Sequence, residues 1–213
     1  MTDRGNRMKK IICIGREYGS GGREIGEKLA AALGVPYYDK LLIKKAALES
    51  GLSEEYIART EESPIKNFQF LSGNLYADMA VMNNTFYLES QITYNAEKSV
   101  IEKIGAEGSG VIVGRCASNI LPKEKRLSVF IYADKTDKIN RVSERNSISE
   151  KEAVSRIRRV DRMRRQFFDF YSETPWGQPD SYDIMLSSSH FGIDGCVDIL
   201  LNSIRQTEAA GNE

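Results

Sequence analysis

The stretch Lys9-Lys10-Ile11-Ile12-Cys13-Ile14, followed by Gly15-Arg16-Glu17-Tyr18-Gly19-Ser20-Gly21-Gly22-Arg23, decides the fold. The first part is a short apolar run of the length and composition of a buried central strand. The second breaks that pattern with glycines. From Arg23 onward Ile25, Leu29 and Leu33 recur every four residues, and Gly34 with Pro36 supplies the stop, which predicts an amphipathic helix. Strand, glycine loop and helix in that order place bare amides and a helix N-terminus together, a setting that receives a chain of phosphates. Glycines suit it because phosphate oxygens approach the main chain and because such a loop visits positive φ. Arg16 and Arg23 can add charge-assisted contacts. The plainer alternative is a tight turn that packs a helix on a sheet.

Outward from the loop, the chain alternates. Tyr37 and Tyr38 make a short second strand ending at Asp39, with a helical stretch from Lys40 to Glu49. Gly51 to Ala80 mixes Ser, Glu, Pro64, Gly73 and Asn74 with scattered aromatics, so an irregular insertion able to cover a ligand is expected there. A long helix is predicted from Asn84 to Ile104, a third strand over Val111 to Val113 and a fourth over Leu127 to Tyr132. Thr136 to Asn146 reads as helix. Ser149 and Glu152 have capping-box spacing for the next helix, predicted to run to Phe170. Tyr182 to Leu186 and Ile193 to Ile204 give a fifth strand and a closing helix. Alternating strands and helices imply a parallel sheet covered on both faces.

Composition narrows the function. Lysine plus arginine, 30, balances aspartate plus glutamate, 30, so no global field draws the chain to nucleic acid or an anionic membrane. Cys13, Cys116 and Cys196 are odd in number, far apart and set in apolar segments, which reads as reduced thiols of a cytoplasmic protein. No window approaches a membrane span. With His190 as the single histidine, a histidine-rich metal site is excluded and a Ser-His-Asp hydrolase would rest on that one residue. No side chain is assigned as a metal ligand.

Three further features bear on chemistry. Arg156, Arg158, Arg159, Arg162, Arg164 and Arg165 surround Asp161 on one helix whose apolar positions Ala153, Ile157, Val160, Phe167 and Phe168 face inward, so the arginines are expected on the outer and flanking faces. Forked, permanently charged guanidinium groups suit the spread charge of a transferring phosphoryl group. A solvated face laced with ion pairs is the competing reading of this helix, and RNA binding a third. Arg115 follows the third strand at the carboxyl edge of the sheet, where such folds bind ligands, unless it is a structural arginine paired with a buried acid. Cys116 beside it has no histidine nearby in sequence and reads as packing. Asp39, about twenty residues past the glycines, fits a ribose-gripping acid of a dinucleotide fold. That fingerprint fails because its third glycine position holds Glu24.

Ile14 to Gly26, then Pro36-Tyr37-Tyr38-Asp39-Lys40, then Gly114-Arg115-Cys116-Ala117, and finally Trp176-Gly177 with Tyr182-Asp183, together resemble the cytidylate kinase-like family across nearly the whole chain. The resemblance implies an α/β P-loop nucleoside monophosphate kinase fold of three layers, a five-stranded parallel sheet with helices on both faces. It implies one domain over 1–213: a core at about 9–40, 96–146 and 180–206, an acceptor-binding lobe at about 41–95 and an arginine-bearing lid at about 147–179. It further implies transfer of the ATP γ-phosphoryl group to CMP or dCMP with Mg²⁺. Carried over by position, Gly19, Ser20, Gly21, Gly22 and Arg23 hold the donor phosphates, while Asp39 and Arg115 face the acceptor. Lys45 falls near a family arginine on the acceptor phosphate. Arg158, Asp161, Arg164 and Arg165 belong to the lid.

The departures are specific. A standard phosphate loop reads glycine, four residues, then Gly-Lys-Ser/Thr, whereas Gly21 here is followed by Gly22-Arg23-Glu24. Either Arg23 stands in for the lysine in a loop one residue longer, or the charge comes from elsewhere. Cys116 stands where the family often has aspartate. A nucleotide-binding regulator without turnover, and a kinase of another small acceptor, are the other functional classes these departures leave open.

Overall fold

The structure, a computed structural model, describes residues 10–51, 53 and 76–210. Five parallel strands form its sheet: β1 (Ile11–Arg16), β2 (Tyr37–Tyr38), β3 (Gly110–Val113), β4 (Arg126–Tyr132) and β5 (Ile184–Ser187), in the order β2-β3-β1-β4-β5. Ile14 of the central strand pairs with Val113 on one side and Val129 on the other. Alternate residues of β1 serve opposite faces, which is why its sequence is apolar throughout rather than alternating. Ile12 and Ile14 pack with Ile25 and Leu29 of α1 (Gly22–Leu33) and with Val197, Leu200 and Ile204 of the last helix. Ile11 and Cys13 pack with Leu42 and Ala46 of α2 (Lys40–Ser50) and with Val100, Ile101 and Ile104 of α3 (Tyr76–Glu107).

The remaining elements crowd the carboxyl end of the sheet. The short α4 (Ala117–Ile120) follows β3. α5 (Lys135–Asn146) and α6 (Glu150–Tyr171) form a pair around Val142, Ala153 and Ile157, with the Tyr18 ring of the glycine loop packed against them. Ser149 caps α6: its Oγ accepts the Glu152 amide while the Glu152 carboxylate accepts the Ser149 amide. A second aromatic cluster, Phe130, Phe168, Trp176 and Tyr182 with Cys116, closes the same end of the sheet.

Several boundaries differ from the sequence reading. β1 runs two residues further, because Gly15 and Arg16 continue its ladder opposite Phe130 and Ile131 of β4. Gly15 is therefore a packing glycine: a methyl there would lie 2.9 Å from the Phe130 and Tyr182 rings. α3 is helical from Tyr76, so the expected irregular insertion is shorter at its carboxyl end, and its residues 54–75 lie outside the described residues. The closing helix α7 (Ser188–Ala210) starts before Gly192, whose φ of 69° and ψ of 178° put a kink where a new start was expected at Ile193. α4 and the single 3-10 turns at Lys123–Lys125 and Pro179–Ser181 are too short to leave a periodic signal.

Candidate phosphate-binding site

The loop between β1 and α1 is held from below by its own chain and from above by α5 and α6. The Glu17 amide donates to the Ile131 carbonyl at 3.0 Å, and the Glu17 carboxylate accepts both the Ala133 amide and Lys138 Nζ, the latter at 2.9 Å. Gly19 and Gly21 take φ values of 85° and 80°, the left-handed region in which a side chain is disfavoured. Gly21 is the N-cap of α1, so the first amides of that helix face the loop. Arg141 Nη1 donates to the Gly19 carbonyl at 3.2 Å, and Asp161 Oδ1 accepts the Tyr18 amide at 2.6 Å. Arg145 and Arg164 stand over the Tyr18 ring at 5.1 and 5.5 Å.

A cavity of about 930 Å³ opens on this loop and is lined by Gly19, Gly21, Gly22, Arg23, Asp39 and Arg141, among others. Beside it lies a second, of about 570 Å³, whose lining among the described residues includes Arg16, Arg115, Arg156, Arg159 and Arg164 and no carboxylate. Arg16 and Arg164 line both. A smaller cavity of about 70 Å³ also joins Arg16, Arg115 and Arg164. The run on α6 divides between the outer and flanking faces: Arg158, Arg159, Arg162 and Arg165 are exposed, while Arg156 and Arg164 are half-buried at the cavity. Helical spacing explains this, since Arg164 falls one turn after Val160 and one turn before Phe168, on the packed side of α6.

Electrostatics set these arginines apart from one another. Arg23 Nε lies 3.2 Å from Asp39 and 3.3 Å from Glu27, and these acids hold its pKa above the ordinary value despite partial burial. Arg115 Nη1 meets the buried Glu97 carboxylate at 3.2 Å, the pairing that the structural reading of this arginine expected, and the residue also lines the second cavity. Burial pushes Arg115 down to about 9, with Arg16 adding repulsion, and burial pushes Arg164 down to about 9, again with Arg16 adding to it. Arg16 is itself lowered by burial. Guanidinium groups stay charged, so the downward shifts mark cations held close together and away from water, a setting that favours an anion among them. Gly114, Arg115 and Cys116 all have positive φ, 83°, 62° and 49°, a sharp turn that keeps Arg115 at the edge of β3.

Other positions named from the sequence lie elsewhere or act differently. The Ser20 side chain is buried and its Oγ donates to the Glu17 carbonyl at 2.9 Å, so it braces the loop. Asp161 accepts a loop amide, that of Tyr18, and so braces the loop. Arg165 stands over the Trp176 ring at 5.6 Å and lines a separate cavity of about 640 Å³. Arg158 is exposed, and Lys45 lies 5.4 Å over the Tyr38 ring; neither lines these cavities. Burial pushes the Cys116 thiol well up, which fits packing and not nucleophilic attack. Sequence reasoning missed Glu17, Lys138, Arg141, Arg145 and Glu97. Arg141 and Arg145 carried a signal in their spacing of four on α5, and Glu97 carried one as an acid on the apolar stripe of α3. Among the described residues no cluster of three or more histidine, cysteine or acidic side chains could hold a metal ion, and no helix is long and apolar enough to cross a membrane.

Solved structures place this architecture. An uncharacterized protein from Eubacterium ventriosum is 29% identical, with 92% of this chain and 98% of that one covered and a TM-score of 0.68. TT1252 from Thermus thermophilus, at 14% identity, covers 94% and 98% with a TM-score of 0.51. A shikimate kinase from Bacteroides thetaiotaomicron, at 11% identity, covers 92% and 98% with a TM-score of 0.50. These last two share the fold alone, an α/β sheet of the P-loop kinase type. No curated protein matches the chain. The model of the cytidylate kinase-like family matches residues 11–190, most of the sequence, and this chain belongs to that family.

Proposed function

We propose that the protein is a phosphotransferase that moves the γ-phosphoryl group of ATP to a nucleoside monophosphate, CMP or dCMP first among them. The observation that carries this reading is the pair of adjoining cavities: one on the glycine loop and α1 N-terminus, the other lined by arginines, with Arg16 and Arg164 between them. The first suits a donor triphosphate and the second an anionic acceptor. In the reaction an acceptor phosphate oxygen bonds to the γ-phosphorus, the bond to the β,γ-bridging oxygen breaks, and ADP leaves with that electron pair. Protein groups contribute alignment and charge rather than covalent chemistry.

Gly19, Gly21, Gly22 and Arg23 act on the donor side. Asp39 and Arg115 serve the acceptor side, and Lys45, Arg158 and Arg165 would join only if their elements move on closure. Asp161 and Arg164 couple α6 to the loop. Mg²⁺ fits as an ion that enters with the ATP phosphates, since it needs one or two carboxylates and keeps several waters. Glu17 and Asp39 are among the carboxylates that line the first cavity. When bound, the ion neutralises charge on the β- and γ-oxygens.

The test is ADP formation from ATP and Mg²⁺ by the purified protein against a panel of nucleoside monophosphates. Saturable turnover with CMP or dCMP is expected. Saturable ATP binding with no turnover for any acceptor would replace this reading with that of a nucleotide-binding regulator, the class that the absent loop lysine favours.

A further inference from the structure

We propose that Arg16, and not Arg23, is the cation that replaces the phosphate-loop lysine, and that with Arg164, and with Arg115 reaching it from the acceptor side, it forms a cradle for the terminal phosphate of a polyphosphate chain. The assignment deepens the donor-site reading above and rests on it where the nucleotide is concerned. Counting back from Gly21 in the standard pattern puts Arg16 at its first glycine, Gly22 at its lysine and Arg23 at its hydroxyl position. The expected trade is therefore not lysine for Arg23. It is a cation moved from the start of the helix to the end of the strand.

Packing supports the exchange. A methyl on Gly22 would lie 2.6 Å from Arg16 Cβ and 3.2 Å from Ile131 Cβ, so the arginine side chain occupies the space that a side chain at position 22 would need. One loop accommodates one of them. At its far end the guanidinium lies against Gly114, where a methyl would collide with Nη1. Both bare positions are explained by the single arginine that crosses from one to the other.

Charge points the same way. Arg23 is shared between Asp39 and Glu27. Among the described residues Arg16 makes no side-chain ion pair or hydrogen bond, and Arg164 Nη1 is held beside it by a bond to the Arg16 carbonyl at 3.0 Å. Glu97 answers Arg115 from behind. The three guanidinium groups line the small cavity together, and Arg16 and Arg164 also line the cavity over the loop glycines. A phosphate dianion is the chemical class that meets three converging guanidinium forks next to a row of amides.

Inorganic tripolyphosphate is the probe, because its binding does not depend on which nucleoside or acceptor the enzyme uses. Calorimetry on the full chain is expected to show Arg16→Gln weakening tripolyphosphate by about 10- to 100-fold, the effect of a charge-assisted bond removed from a partly buried site. Arg16→Lys, which keeps a cation, should lose less than about tenfold, and Arg23→Gln less than Arg16→Gln. Lys28→Gln, on the exposed face of α1 with Glu24 and Asp194, controls for net charge and should leave the affinity unchanged. Affinity for Arg16→Gln within threefold of the wild type, a larger loss for Arg23→Gln, or no tripolyphosphate binding by the wild type would each overturn the proposal. If Arg16→Gln fails to fold, the exchange variant Arg16→Gly with Gly22→Lys decides: folded and binding supports it, folded without binding overturns it. Arg16-dependent tripolyphosphate binding without transfer to any nucleoside monophosphate would leave the cradle standing and remove the kinase reading.

Discussion

Asp161 of α6 accepts the backbone amide of Tyr18 at 2.6 Å, joining the arginine helix to the glycine loop across 143 residues of sequence. The bond ties the glycine loop and the arginine helix into one unit. Tyr18 adds to it by carrying Arg145 and Arg164 on its ring. Whatever holds the loop in shape also holds Arg164 over it.

Asp161→Ala is therefore expected to weaken triphosphate binding and to destabilise the fold by about 1.5–3 kcal/mol, the range for a hydrogen bond to a charged group. Asp161→Asn retains an acceptor oxygen and should cost less. Burial raises the Asp161 carboxyl above the ordinary aspartate value, with the Tyr18 amide and Arg164 opposing. Because the folded value is the higher one, the carboxylate form is lost as pH falls through a point above the usual aspartate range. The same shift gives a stability contribution that is complete below the unfolded value and fades as pH rises through the folded one. A pH series of tripolyphosphate affinity should show an acid limb that is missing in Asp161→Asn.

Arg115 and Glu97 give a pair of opposite predictions. Arg115→Ala should raise the apparent KM for the acceptor with a smaller change in kcat, as removal of a binding contact does. Glu97→Ala leaves the buried Arg115 without its carboxylate and should cost on the order of 3 kcal/mol of stability. Steady-state kinetics and urea unfolding separate the two effects. Equal KM values for wild type and Arg115→Ala would remove Arg115 from the acceptor site.

Gly21→Ala tests the loop itself. Its φ of 80° costs an alanine about 1–2 kcal/mol, and the added methyl would collide with Ile193 Cδ1 of α7. The loop amides shift as a result, so a lower melting temperature and loss of ATP binding are expected together. Unchanged ATP affinity would show that the loop shape is not what binds the phosphates.

The thiols should be silent in the native protein. Burial pushes Cys13 up to about 12, pushes Cys116 further with Glu97 adding to it, and raises Cys196. At pH 8 the Cys13 thiolate is then on the order of one part in ten thousand, against about a quarter for a free thiol. A thiol reagent should find none of the three cysteines within minutes and all three after unfolding. Rapid native reaction at Cys116 would reopen a nucleophile role.

The sequence by itself determined the order and kind of the elements, because hydrophobic period and turn residues are local signals. The apolar run Ile11 to Ile14, the stops at Gly34 and Pro36 and the Ser149–Glu152 cap are each legible within a few residues, and each is present in the fold. The glycine loop was legible for the same reason. What only the tertiary structure decided is the fate of each charge. Whether an arginine is paired, buried or aimed at a cavity depends on partners such as Asp39 for Arg23, Glu97 for Arg115 and Gly114 for Arg16, which are brought near by the parallel sheet and not by the chain. Electrostatic interaction follows distance in space, and distance along the sequence says almost nothing about it once crossovers of this length intervene.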